Sequence, residues 1–210
     1  MFKKEKICVI KKALPVYMVN FLNKYFQIKE QAAIRLYTDR QIPEGSVEWG
    51  THMDNQVNGS YSIYGDQAGD TLLVTLQPIF EKAIKQKLTG IKLTPSYSYT
   101  RVYKKGAVLT PHTDRYSCDI STTLCLGGDP WLFWYKKGNK KYSVDLKPGD
   151  MLAYRGMEIE HWREPFKGTE CVQTFLHYNS VGTKLAEENK YDGRPCLGLP
   201  GYYRKKMQDK

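Results

Sequence analysis

The chain has 210 residues, with 32 lysines and arginines against 22 aspartates and glutamates, for a formal charge of +10. That length fits one domain burying roughly 70% of its unfolded surface, and the cysteines (Cys8, Cys118, Cys125, Cys171 and Cys196) have neither the CxxC pairing nor the density of a disulfide scaffold. MFKKEKICVIKK begins basic but its apolar run is only four residues and no longer one follows, so the expectation is a soluble, cytoplasmic protein with no membrane partner, whose charge favours acidic partners such as nucleic acids or phosphorylated substrates.

KICVIK is a short strand candidate. PVYMVNFLNKYF opens a helix with Pro15 in its first turn, and Val19, Leu22 and Phe26 recur at helical spacing. Residues 38–68, rich in Gly, Ser, Asn and Asp, read as a long loop with one strand at SYSIY. Loops of that length in a compact domain are usually functional or disordered, and this one is a candidate lid. A second helix follows Asp70, with Leu72, Leu76, Phe80, Ile84 and Leu88 on one face and a kink expected at Pro78.

From Ile91 the period changes. YSYTRVY, ISTTLCL, WLFWY, YSVDL, MLAY and CVQTFLHY are short β-rich runs separated by KKG, GGDP, KKGNKK and KPGD. KKGNKK reads as a solvated hairpin tip with a Gly-Asn turn. The fold class is α+β: N-terminal helices packed on one face of a barrel-like β core. A single domain is expected, with residues 1–90 as mostly helical support and lid loop, 91–180 as the core and 181–210 as a C-terminal tail.

Four histidines carry the chemistry to be assigned. His112 and Asp114 follow one strand candidate and His161 follows another. In an extended segment, side chains at i and i+2 share a face, so His112 and Asp114 can chelate together, with His161 supplied by a strand adjacent in space. Two imidazoles and one carboxylate on one face of a metal leave the other positions open, as in non-haem Fe(II) oxygenases. A second triplet, His52-Met53-Asp54, lies in the Gly/Asn-rich loop and reads as a turn or cap. His177, ending the last strand, reads as a satisfied structural histidine.

YSYTRVYKKGAVLTPHTDRYSCDISTTLCLGG and LKPGDMLAYRGMEIEHWREPFKGTECVQTFLHY together resemble the 2-oxoglutarate- and Fe(II)-dependent oxygenases, particularly the prolyl-4-hydroxylase-like branch. The features that carry this are Tyr103 and Gly106 before the HxD, Pro148-Gly149-Asp150 before the strand leading to His161, and Pro165 four residues beyond it. The resemblance covers roughly residues 95–180. It implies a double-stranded β-helix (jelly-roll or cupin-like) core and Fe(II) held by His112, Asp114 and His161. It further implies 2-oxoglutarate and O2 as cosubstrates, with ascorbate as an accessory reductant. The implied reaction is hydroxylation of an unactivated C–H bond with release of succinate and CO2, and the intact Asp114 fits hydroxylation rather than halogenation.

One departure stands out. Where the family carries an Arg or Lys for the far carboxylate of 2-oxoglutarate, nine or ten residues past the distal histidine, this chain has Glu170 and Cys171. A buried dicarboxylate needs a cation. Arg155 and Lys167 are nearby substitutes, and Arg101 or Arg163, with Tyr103 donating its hydroxyl, is preferred because arginine clamps a carboxylate bidentately. The prolyl-hydroxylase-like pattern favours a peptide or protein substrate, with Trp49, Trp131, Trp134 and Trp162 as candidate groove aromatics. Nucleic-acid demethylation is the alternative, lacking its arginine-rich signature after His161. A catalytically silent binding module on the same fold is a further alternative, and a zinc hydrolase is disfavoured because no HExxH glutamate is present. Oligomeric state is not legible.

Overall fold

In a computed structural model, residues 6–57, 59–85 and 92–204 are described. Leu88, Ile91 and the end of the basic tail from Lys205 lie outside them. Strand β1 (Ile7–Ile10) leads into helix α1 (Val16–Thr38), then β2 (Tyr61–Tyr64) and α2 (Gln67–Lys85). The long strand β3 (Leu93–Lys104) is followed by β4 (Leu109–His112), β5 (Ile120–Gly128) and the hairpin β6 (Phe133–Lys137) and β7 (Lys140–Val144). Strands β8 (Met151–Arg155), β9 (His161–Arg163) and β10 (Glu170–Ser180) complete the core, before a short helix α3 (Lys184–Glu188) and two 3-10 turns. No helix among the described residues is long and apolar enough to cross a membrane.

Two sheets form, one of six strands in the order β1-β8-β5-β10-β3-β2 and one of four in the order β4-β9-β6-β7. All pairings are antiparallel. The strands expected at KICVIK and SYSIY form as β1 and β2, and they become the two edges of the large sheet. β4 and β9 are strands that the β-rich runs do not announce; both are short, and their pairing is interrupted by a bulge between Leu109 and His112.

The large sheet is buried on both faces, and strand alternation divides its side chains between two interiors. Val102, Leu124, Met151, Ala153, Val172, Leu176 and Tyr178 point at the helices and join Val19, Leu22, Phe26, Leu73, Leu76 and Phe80 in the main core. The intervening residues face the small sheet. Tyr103, Leu109, Phe166, Cys171 and Phe175 pack there at one end, and Cys125, Phe133, Leu152, Tyr154 and Ile159 at the other.

Local signals account for the element ends. Pro15 caps α1 with an extended backbone (ψ 149°), because its ring fits the helix start but lacks the N–H a helix interior needs. Helix α2 begins earlier than the apolar spacing indicates: Asp66 accepts hydrogen bonds from the N–H groups of Ala68 and Gly69, an N-cap contact. Asp70 therefore lies in the first turn, where Oδ1 accepts from Ser98 and Oδ2 from Arg194 and the Gly198 N–H. These bonds fix the segment after α3 onto the fold. The helix continues through Pro78. The β6–β7 tip turns on Gly138-Asn139 with Gly138 at φ 58°, as the Gly-Asn reading requires. Gly149, at φ 88°, sits where an added Cβ would lie 2.8 Å from the Leu14 carbonyl oxygen, so the Pro-Gly-Asp turn is glycine for both conformation and space.

Phe26 is fully buried between α1 and the large sheet. Phe26→Ala is expected to lower unfolding free energy by about 3–5 kcal/mol in urea titrations, with the slope unchanged; a loss below about 1 kcal/mol would contradict this packing.

Candidate metal centre

His112, at the end of β4, stands directly opposite His161, at the start of β9, in the strand register. Asp114 follows His112 by two residues and its N–H donates to the Gly156 carbonyl (2.9 Å), which pins the turn beneath the ligands. Asp114 Oδ1 lies 3.5 Å from His161 Nε2 and 3.8 Å from His112 Nε2. One nitrogen or oxygen of each of the three residues falls within 4.8 Å of the others. His52 and Asp54 do not join them: His52 bonds Glu30 (3.2 Å), and Asp54 accepts from the Gln56 N–H, a local turn bond, and from Tyr99 and Arg101.

The donor set suits a divalent metal. His112 Nδ1 lies 2.7 Å from the Thr110 carbonyl oxygen and His161 Nδ1 2.9 Å from that of Ile159. Each carbonyl can only accept, so each Nδ1 carries the proton and each Nε2 turns its lone pair toward the space it shares with Asp114 Oδ1, where a metal ion would take it. Burial holds the His161 pKa below the ordinary histidine value despite the nearby Asp114 carboxylate, so the ring is neutral at pH 7. Burial pushes Asp114 upward, but the His161 and His177 rings and the Ser121 hydrogen bond outweigh it, and the carboxyl titrates below its usual range. Ser121 Oγ donates to Asp114 Oδ2 (2.5 Å), leaving Oδ1 as the ligand atom.

Ser121 also meets His177 Nδ1 at 3.1 Å, and His177 stacks on Tyr97 with centroids 4.4 Å apart. His177 is thus satisfied, as its sequence position suggests, but it buttresses the metal ligands and lines their cleft. Sequence reasoning missed both Ser121 and Gly156. The only trace of Gly156 is a glycine directly after the MLAYR strand. A Cβ there would lie 2.6 Å from the Cys118 carbonyl oxygen and closer still to Ser121 Oγ and Asp114 Oδ2.

The ligands open into a cleft of about 450 Å³. Its apolar lining is Leu109, Phe133 and Phe175, and Tyr64, Tyr97, Tyr99, Tyr154, Arg101 and Arg115 supply aromatic and polar lining. Gln56, from the 38–68 loop, also lines it, while Asp54 of the same loop reaches Arg101 at its wall, so the loop contributes to the site. None of the four tryptophans lines the cleft: Trp49 packs against the helical core, Trp134 and Trp162 stack on each other, and Trp131 Nε1 donates to the Glu164 carbonyl.

The candidate anchors separate in the structure. Arg101 is neutralised by Asp54 (2.6 Å) and bonded to Gln56. Arg155 pairs with Asp119, and Lys167 is exposed. Arg163 is 1% exposed and has no carboxylate partner among the described residues: Nη1 donates to the Trp131 carbonyl, Nη2 reaches Thr123 Oγ1 at 3.5 Å, and Nε has no partner. The Tyr103 hydroxyl is likewise buried and unpartnered. Both side chains touch the Trp131 ring, at 4.8 Å from Tyr103 and 5.1 Å from Arg163. The Phe133 ring stacks on His161 (5.3 Å) and lies 5.6 Å from the Arg163 guanidinium, which ties this pair to the metal ligands. Glu170 bonds Lys104 and Gln27 on the helix side, while Cys171 faces the barrel interior.

Solved structures with the same fold include a prolyl-4-hydroxylase of Pseudomonas putida, 17% identical, covering 86% of this chain and 96% of that chain with a TM-score of 0.57. The viral collagen prolyl hydroxylase of Paramecium bursaria Chlorella virus-1, in complex with 2-oxoglutarate, is 16% identical over 84% of this chain and 97% of that one, with a TM-score of 0.54. HygX of Streptomyces hygroscopicus, with nickel and 2-oxoglutarate bound, is 12% identical over 86% and 85%, with a TM-score of 0.54. No protein-family model matches the sequence, and no curated protein matches it. The likeness is therefore one of fold: the chain has the double-stranded β-helix of the 2-oxoglutarate/Fe(II) oxygenases, with prolyl hydroxylases among its neighbours.

Two outcomes are expected. Gly156→Ala pushes a methyl group against Asp114 and Ser121 and weakens Mn(II) binding about 10- to 100-fold in EPR titrations while circular dichroism stays native; unchanged affinity would refute the close approach. Burial holds His177 at about 4, below its unfolded value near 6.5. The unfolded state then binds the extra proton, so the stability His177 contributes is complete above pH 6.5 and drains away toward pH 4, by on the order of 3 kcal/mol. His177→Gln should flatten that limb of the stability–pH curve of the metal-free protein; an unaltered limb would show that His177 does not stay neutral.

Proposed function

We propose that the protein is an Fe(II)- and 2-oxoglutarate-dependent dioxygenase that hydroxylates an unactivated C–H bond, with a prolyl or other amino-acid side chain of a peptide or protein as its target. The observation that carries this is the convergence of His112, Asp114 and His161 beside a buried arginine, Arg163, that has no counter-ion among the described residues. An isolated buried cation is expensive, and a dicarboxylate cosubstrate supplies what Arg163 lacks.

In this reading His112 Nε2, His161 Nε2 and Asp114 Oδ1 hold the iron, which with 2-oxoglutarate and O2 supplies an oxidative decarboxylation to succinate and CO2 coupled to hydroxylation of the substrate. The chain's own residues do the rest. Arg163 neutralises the far carboxylate of 2-oxoglutarate, and the Tyr103 hydroxyl donates to the same group. Thr123, beside the guanidinium, is oriented by its hydrogen bond to Gln173. Phe133, Leu109 and Phe175 keep water from the inner cleft. Ser121 and His177 hold Asp114 in a one-oxygen ligand pose. Arg101 lines the cleft but is already paired with Asp54, so Arg163, buried against Phe133 with no carboxylate partner among the described residues, takes the anchoring role.

The test is succinate formation by anaerobically Fe(II)-loaded protein on addition of 2-oxoglutarate and O2. Wild type should turn over slowly without substrate, and His112→Ala and Asp114→Ala should not. Arg163→Met should raise the KM for 2-oxoglutarate about 100-fold with metal affinity intact and metal-free stability unchanged or higher, because a buried unpaired charge is removed. Arg101→Met should leave that KM within about threefold, since its carboxylate partner is internal. Silence from folded, iron-loaded wild type would point instead to the catalytically silent module.

A further inference from the structure

The outer half of the cleft holds a second cluster that metal and cosubstrate binding leave unused. Arg115 directly follows the Asp114 ligand, and Arg204 reaches the same wall from the segment after α3. Both guanidiniums share one carboxylate oxygen, Asp192 Oδ2, at 2.7 Å and 3.5 Å, which also accepts from the Tyr64 hydroxyl at 2.6 Å. Asp192 is 5% exposed, whereas the two arginines are nearly half exposed. Two cations on one carboxylate leave a surplus positive charge facing the cleft. Arg115 Nε donates to Tyr97 and Arg204 Nε to the Gly201 carbonyl, while Arg115 Nη1 and Arg204 Nη2 have no partner among the described residues. The backbone is strained to build this arrangement: Tyr191 and Asp192 both adopt left-handed φ values, 53° and 55°, that side-chain-bearing residues avoid.

We infer that Arg115 and Arg204 form an anion subsite beside the metal centre, and that the substrate is a peptide with a carboxylate or phosphate next to the residue that is hydroxylated. This rests on the hydroxylase reading and adds its substrate class. A nucleic acid fits less well, for two reasons visible in the site. Among the described residues the surplus is one charge at one point, not a track for a repeating backbone. The aromatic rings that a base would stack on are also engaged: Tyr97 stacks on Tyr64 (5.1 Å) and His177, Arg194 and Arg204 lie over Tyr64 at 5.0 and 5.4 Å, and Arg101 lies over Tyr99 at 4.9 Å.

The experiment uses full-length protein loaded with Mn(II) and 2-oxoglutarate without O2, and fluorescein-labelled proline peptides that differ only in the neighbouring residue: Glu, phosphoserine, Gln or Lys. Fluorescence anisotropy should show Glu or phosphoserine peptides binding roughly tenfold tighter than Gln and Lys weakest, with the gap closing at high salt. Preference for both acids indicates a general anion site, and preference for phosphoserine alone a phosphate site; either supports the inference. Arg204→Gln should bring the Glu-to-Gln ratio close to one and Arg204→Lys should preserve it, at a position exposed enough to leave folding intact. Equal binding of Glu, Gln and Lys peptides overturns the subsite, as does tight binding of a labelled oligothymidylate that the Glu peptide cannot displace. Hydroxylation is read separately, as gain of one oxygen by mass spectrometry with Fe(II) and O2. Charge-selective binding without product in any peptide sinks the hydroxylase reading but leaves the subsite standing; product formed without charge selectivity does the reverse.

Discussion

The two-sided burial of the large sheet is the constraint from which the remaining architecture follows. Each central strand must supply one row of side chains to the helices and another to the barrel. On β10, Val172, Leu176 and Tyr178 go one way, while Cys171, Phe175 and His177 go the other. A one-residue slip in register would send the helix-facing row into the cleft and His177 into the helical core. The helices therefore do more than cover the sheet: by claiming one row, they fix which row lines the site.

Across the cleft, the small sheet carries two of the three candidate metal ligands, His112 and His161. Its alternation places Phe133, His161 and Arg163 on the inner face, with Trp134 and Trp162 stacked on the outer one. His161 and Arg163 thus come from one three-residue strand, and their separation is set by the strand rise rather than by loop conformation. That rigidity suits the proposed role of the two residues, in which a chelated cosubstrate would span both.

Much of this was legible from residue spacing. The i, i+2 spacing of His112 and Asp114, the Gly-Asn hairpin and the helical spacing of apolar residues up to Ile84 all express local periodicities, and the structure follows them. Long-range partners were not legible. Arg101 and Arg163 look equivalent in sequence, each two residues from a residue of interest, and only Asp54, 47 residues before Arg101, distinguishes them by neutralising one. The same holds for Ser121 and Gly156, ordinary residues until the fold brings them against Asp114. The tryptophans illustrate the opposite error: a large aromatic signals burial well, but not which interior it fills.

Cys118 shares the cleft with the metal ligands. Burial and the nearby Asp114 carboxylate raise its thiol to about 12, and it sits 3.2 Å from the Tyr97 hydroxyl. A thiolate in that place would offer a soft donor that draws zinc or copper, and a nucleophile open to stepwise oxidation. Kept protonated, it is neither. The buried wall that lines the cleft therefore also holds this thiol in the form that is the weaker ligand and the weaker nucleophile.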